Sequence, residues 1–76
     1  MDLRVVARRH ATHGVKIVPS VAGVRLRLGT CAILVVRPYG NRTTYGVGRL
    51  RFAAPQEAML QAVRMLRACH RKARED

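Results

Sequence analysis

The sequence predicts an α+β domain in which a three-stranded antiparallel meander packs on one C-terminal helix. Apolar and charged residues alternate with period two from Val24 to Leu28, which is typical of a half-buried strand. After Pro55, apolar residues recur at helical spacing. The length of 76 residues fits one small domain. We therefore expect a β-β-β-α domain over residues 23–76, preceded by a separate basic segment over residues 1–22.

The segment 1–22 has weaker patterns than the rest of the chain. The stretches from Leu3 to Arg9 and from Val15 to Val18 predict either two short strands joined at His13-Gly14, which would extend the meander, or a flexible arm. The loop-like stretch from Pro19 to Gly23 separates this segment from the domain. Its cations are Arg4, Arg8, Arg9 and Lys16.

Three strands are expected between Val24 and Phe52. The first places Arg25 and Arg27 on the face opposite its apolar residues. The second begins after Gly29-Thr30, and its apolar run from Cys31 to Arg37 is typical of a central strand. The third is predicted from Thr43 to Phe52, after a turn at Pro38–Asn41. Short connections favour antiparallel neighbours.

The helix is predicted to start at Pro55, with Glu57 in its first turn. One stripe of this helix is apolar and consists of Met59, Ala62, Val63, Leu66 and Cys69. A second stripe is cationic and consists of Arg64, Arg67, Arg71 and Arg74. We expect the apolar stripe to cover one sheet face. The period-two rule then sends four arginines to the uncovered face, namely Arg25, Arg27, Arg49 and Arg51.

The charge balance is strongly basic. The net charge is +11, and 13 of the 15 cationic side chains are arginine. Between Leu3 and Arg74 the only acidic residue is Glu57. Such a domain repels itself, and binding a polyanion relieves the repulsion. Because the arginine fork matches phosphate oxygens and guanine edges, the sequence favours nucleic acid as the polyanion.

Duplex DNA is the favoured partner, because a DNA major groove admits β-structure. The chain has only three aromatic side chains, which argues against single-strand recognition by base stacking. The alternative is a solvated face that happens to be basic, but ordinary solvated faces mix both signs. We expect additional phosphate contacts from Arg8 and Arg9 in the first segment and from Arg64, Arg67 and Arg71 on the helix.

Three stretches resemble a known family: Gly23-Val24-Arg25, Tyr39-Gly40-Asn41, and Phe52-Ala53-Ala54-Pro55-Gln56-Glu57-Ala58. From about residue 23 to residue 72 the chain resembles the DNA-binding domain of plant ethylene-response factors. It is also similar to the amino-terminal domains of tyrosine recombinases and of some homing endonucleases. The resemblance implies three strands backed by one helix, and DNA contacts from Arg25, Arg27, Arg37, Arg42, Arg49 and Arg51. A double-stranded-RNA-binding domain has a similar order of elements, but it needs an earlier helix, which the sequence does not indicate.

No catalytic set is evident, so we expect neither an enzyme nor a cofactor. Glu57 is the single internal carboxylate, which excludes two-carboxylate chemistry. Cys69 and His70 are neighbours on a helix, so their side chains diverge by about 100°. His10, His13 and His70 do not form a tight ligand set, and we expect no metal site.

Compartment and assembly are less strongly indicated. No apolar stretch approaches the ~20 residues of a membrane span, and the sequence predicts a cytoplasmic protein, with association with the nucleoid as one alternative. Cys31 and Cys69 form either a disulfide or, as we expect, two reduced thiols. A homodimer is a further alternative, through Ile33 and Val35 on the open face or through an edge strand.

A protein partner is the main alternative function. A small basic domain can bind an acidic or nucleic-acid-handling protein complex and inhibit or adapt it. Small phage-encoded inhibitors, including anti-CRISPR proteins, have a similar size. A nucleic-acid binder, in contrast, is expected to act as a regulator or as an accessory factor of a mobile element.

Overall fold

The computed structural model of the chain describes residues 2–11 and 14–75. Five strands form one antiparallel sheet in sequence order, with one helix before and one after them. The elements are α1 (Leu3–His10), β1 (Lys16–Pro19), β2 (Gly23–Leu28), β3 (Cys31–Val36), β4 (Tyr45–Val47), β5 (Leu50–Phe52) and α2 (Pro55–Glu75). The predicted α+β class, with an antiparallel sheet and a C-terminal helix, is confirmed. The sheet has five strands rather than three.

The two additional strands arise at opposite ends of the sheet. β1 pairs with β2, so Lys16 lies opposite Arg27 and Pro19 opposite Val24. The stretch predicted as one third strand is divided into β4 and β5 by a two-residue turn. Gly48 in that turn has a φ of 58°, a left-handed conformation that suits glycine and produces a tight hairpin.

The segment from Leu3 to Arg9 is a helix, and the prediction of a strand or flexible arm there is wrong. Leu3, Val6 and Ala7 recur at helical spacing and are buried. The side chain of Asp2 caps the helix by accepting a hydrogen bond from the Arg4 amide at 2.9 Å. An apolar face of two turns is too short to stand out from an alternating pattern, which explains the error.

Both helices pack on the same face of the sheet. α1 contacts α2, β1 and β2, and α2 contacts β2 to β5. The core between these layers contains Val24 and Leu26 from β2 and the predicted apolar stripe of α2 from Met59 to Leu66. Residues 2–11 and 14–75 provide no layer over the other face, which we call the open face.

The middle strand, β3, places Ile33 and Val35 on the core face and not on the open face, where a dimer contact is predicted. Val35 is fully buried on the helix side, and Ile33 packs against the same core. Ala32, Leu34 and Val36 are therefore the β3 residues of the open face, and the prediction that Ile33 and Val35 are exposed there is wrong. In a strand that is apolar on both faces, periodicity cannot assign the two sides.

Cys31 and Cys69 are joined by a disulfide, and the expectation of reduced thiols is wrong. Cys31 is buried at the start of β3, and its Cα lies 6.1 Å from that of Cys69. This spacing is typical of disulfides. The helical stripe that brings Cys69 over the sheet was evident in the sequence, but the strand residue beneath it was not.

Neither described helix combines the length and apolar character needed to span a membrane.

Candidate nucleic-acid interface

The open face can be assembled from the strand register, because directly paired residues of neighbouring strands share a face. Arg25 lies between Val18 and Leu34, and Arg27 lies between Lys16 and Ala32. Arg51 pairs with Gly46, which in turn pairs with Val36. The side chains of the open face are thus Lys16, Val18, Arg25, Arg27, Ala32, Leu34, Val36 and Arg51. Residues 14–56 contain no acidic residue.

Arg25 and Arg27 are the most available cations of this surface. Both side chains are exposed, while Val24 and Leu26 between them are buried, so the predicted two-faced strand is confirmed. Neither guanidinium group forms a hydrogen bond or an ion pair with another described residue. They stand about 7 Å apart along β2, since alternate residues of a strand are separated by two rises.

Arg51 is on the same face but is already engaged. Its Nε donates to the Thr44 hydroxyl at 3.1 Å, and its terminal nitrogen donates to the Thr44 carbonyl at 3.0 Å. The guanidinium group lies across Gly46, where a β-carbon would be 2.5 Å from it. The chain therefore holds Arg51 in one orientation at the β5 edge.

The other three arginines of the predicted DNA-facing set lie outside the strands. Arg37 donates to the carbonyl oxygens of Ser20, at 3.2 Å, and Val21, and so closes the β1–β2 loop. Arg42 lies 6.0 Å from the centre of the Tyr39 ring, a cation–π distance. Arg49 occupies the β4–β5 turn and is not a strand residue, so the period-two rule that predicts it on the open face does not apply to it.

The predicted secondary contacts belong to the other side of the molecule. Arg64, Arg67 and Arg71 are exposed along α2, and Arg8 and Arg9 are exposed on α1. Arg67 and Arg71 also line a concavity with Leu28, His70 and Arg74 at the end of α2. Because both helices cover the core face, the structure does not bring these cations together with Arg25 and Arg27.

One cation of the open face was absent from the predicted site. The sequence places Lys16 either in a short strand from Val15 to Val18 or in a flexible arm, and in the structure it lies in β1, directly opposite Arg27. The alternation of Lys16, Ile17 and Val18 would have indicated it, since Ile17 packs on the core while both neighbours are exposed.

The histidines are dispersed over the described chain. His10 ends α1, and His70 lies against the β2–β3 turn, with its Nδ1 3.0 Å from the position of a β-carbon at Gly29. His13 lies outside the described residues. Within residues 2–11 and 14–75, no three His, Cys, Asp or Glu side chains form a group that could hold a metal ion.

Comparison of the chain with protein-family models, curated proteins and solved structures found no match.

Proposed function

We propose that this chain binds duplex nucleic acid, with DNA favoured, through the cations of its open face. The supporting observation is that Arg25 and Arg27 project from an uncovered sheet face without any partner among the described residues. Residues 14–56 contain no carboxylate that could neutralise these two arginines. Phosphate oxygens and guanine edges are the ligands that the guanidinium fork matches best.

The width of the sheet limits how it can dock. Five strands spaced about 4.8 Å apart span about 19 Å between the outer strands, whereas a DNA major groove is about 12 Å wide. The whole face therefore cannot enter the groove. The β1–β2 ribbon is at one edge and carries Arg25 and Arg27, so this part of the sheet is proposed to enter. Arg51 is on β5, which lies three strand spacings, or about 14 Å, across the sheet from β2, and it is proposed to contact the opposite backbone.

Duplex RNA suits this docking less well than DNA, because its major groove is too deep and narrow for side chains to read. α1 precedes the sheet, as the first helix of a double-stranded-RNA-binding domain does, so the order of elements does not exclude that family. However, α2 begins with Pro55-Gln56-Glu57 and lacks the lysine-rich start of that family. The biological role proposed is that of a small regulator or an accessory factor of a mobile element.

Fluorescence-anisotropy titrations with duplex DNA, duplex RNA and single strands at several salt concentrations test the proposal. If the protein neutralises about six phosphates, log K should fall with log salt with a slope of about −5. DNA should bind more tightly than RNA. An affinity that does not change with salt would exclude phosphate contacts and overturn the proposal.

Paired charge removals locate the surface. We expect Arg25→Ala/Arg27→Ala to weaken DNA binding strongly, whereas Arg64→Ala/Arg67→Ala removes the same charge from α2 and should have a much smaller effect. Circular dichroism should show that both variants remain folded, because all four side chains are exposed. The reverse ranking would assign binding to α2 instead of the sheet.

A second candidate is an acidic protein partner, and the apolar residues of the open face favour it. Val18, which is 40% exposed, lies beside Arg25, and the partly exposed Leu34 lies on its other side. Protein interfaces commonly place apolar contacts within a polar rim. A stoichiometric protein partner recovered from nuclease-treated lysate, and retained at high salt, would favour this function.

A further inference from the structure

Two cations face each other across the β1–β2 ladder. Lys16 and Arg27 are directly opposite in the register, and both are exposed. Like charges in this relationship destabilise a sheet. Neither side chain forms a hydrogen bond or ion pair with another residue of the described chain. The strand pairing thus holds two unneutralised charges side by side.

The surroundings of this pair leave room for a small ligand. Lys16 and Arg27 line a concavity together with Gly14 and Gly29. On the other side of Arg27 the paired residue is Ala32, which is also small. Arg25 differs, because its paired neighbours are the larger apolar residues Val18 and Leu34. The charge pair therefore lies in an open notch, whereas Arg25 is flanked by apolar side chains.

We propose that Lys16 and Arg27 form a subsite for a single phosphate group, which both side chains contact together. This inference rests on the proposed function, in which the phosphate belongs to a nucleic-acid backbone. The arginine fork donates two parallel hydrogen bonds to phosphate oxygens, and the lysine ammonium group adds a mobile point charge. A shared phosphate removes the repulsion between the two cations and fixes the position of the β1–β2 ribbon on the duplex.

The salt dependence of DNA binding distinguishes one shared phosphate from two separate ones. Each phosphate contact adds about 0.9 to the slope of log K against log salt. Lys16→Gln/Arg27→Gln should therefore lower the slope by about 0.9, and the effects of the two single replacements on affinity should not add. A decrease of about 1.8, with additive single effects, would mean two independent contacts and overturn the shared subsite. An unchanged slope would overturn it as well. Arg64→Gln is the control for loss of one charge on the helix side.

An NMR titration of the protein with inorganic phosphate, without nucleic acid, separates this inference from the proposed function. Saturable shifts of the backbone amides at positions 16 and 27 that exceed the shift at position 64 support the subsite even if duplexes do not bind, provided that phosphate no longer shifts the same two amides in the double variant. Duplex binding without such shifts, and with an unchanged slope in the double variant, rejects the subsite and leaves the proposed function in place. Uniform shifts at all cations would indicate general screening and also reject it.

Discussion

The α-carbon of Gly23 lies so close to β3 that a β-carbon built on it would be 1.9 Å from the carbonyl oxygen of Val35. Gly23 begins β2, and its amide donates to the Ser20 carbonyl at 3.2 Å, so the hairpin closes at this point. The obstacle is backbone, which cannot move without breaking the ladder. Glycine is therefore required here for close packing of the chain.

Gly23→Ala should destabilise the fold by about 3 kcal/mol, at the upper end of the usual cost of overpacking. Gly46→Ala is the matched control in the same sheet. Its β-carbon would meet the flexible end of Arg51, at 2.5 Å, and that group can swing away. Urea unfolding of both variants measures the difference. Equal stabilities would contradict the close approach of Gly23 to β3.

The Cys31–Cys69 bond should make a large contribution to stability. It closes a loop of 38 residues, for which the chain-entropy relation gives about 4 kcal/mol. Such a contribution matters in a chain of this length, because small domains have marginal cores. We expect a reducing agent to lower the urea midpoint of the wild type and to leave Cys31→Ala/Cys69→Ala unchanged.

Thiol counting complements the unfolding measurement. Denatured, unreduced protein should react with no maleimide, because both cysteines of the chain are in the bond. Two reactive thiols per chain in protein taken directly from cells would show that the bond is not formed there.

Much of the sheet and of α2 could be predicted because their patterns are long or strictly alternating. The strand from Val24 to Leu28 and the helix from Met59 to Leu66 each have one apolar side and one charged side. Only the apolar side can be buried, so the orientation of each element is determined. α1 was missed because two turns give few repeats. The break at Gly48 was missed because a two-residue hairpin and a bulge have similar glycine patterns.

The candidate site was predictable where local alternation decides the face, at Arg25 and Arg27 on β2 and at Arg51 on β5. Arg25 and Arg27 follow from local alternation, whereas Lys16 depends on how β1 pairs with β2. Register across strands is a tertiary property, and one residue of slip moves every side chain to the other face. The same limitation explains why Ile33 and Val35 were placed on the open face. Cys31 and Cys69 are 38 positions apart, and their bond depends on packing between two distant elements.

Not all arginines near the open face should behave alike. Arg37 closes the β1–β2 loop through two backbone carbonyls, so Arg37→Ala should destabilise the fold by about 1 kcal/mol. Arg25→Ala, in contrast, removes an exposed side chain that has no partner among the described residues, and should change stability by less than about 0.5 kcal/mol. Urea unfolding compares the two, and DNA titration of the same proteins should show the larger loss for Arg25→Ala. A larger loss of stability for Arg25→Ala than for Arg37→Ala would contradict the structural role assigned to Arg37.

The cap of α1 should make its stability depend on pH. The side-chain hydrogen bond from Arg4, followed by the bond from the Arg4 amide, holds the pKa of Asp2 below its ordinary value of 3.8. The carboxylate accepts from the Arg4 guanidinium at 3.1 Å. Because the folded pKa is the lower one, Asp2 stabilises the folded state above pH 3.8, and this contribution is lost as the pH falls through the folded pKa.

Two replacements separate the charge of Asp2 from its capping role. Asp2→Asn keeps a capping oxygen but removes the charge, whereas Asp2→Ala removes both. At pH 7, hydrogen exchange of α1 amides should be slowest in the wild type, faster in Asp2→Asn and fastest in Asp2→Ala. At pH 2 the wild type and Asp2→Asn should differ less, because the carboxyl gains protons as the pH falls through its folded pKa. An NMR titration midpoint for Asp2 at or above 3.8, or an equal difference between these two proteins at both pH values, would show that the Arg4 contact does not stabilise the helix.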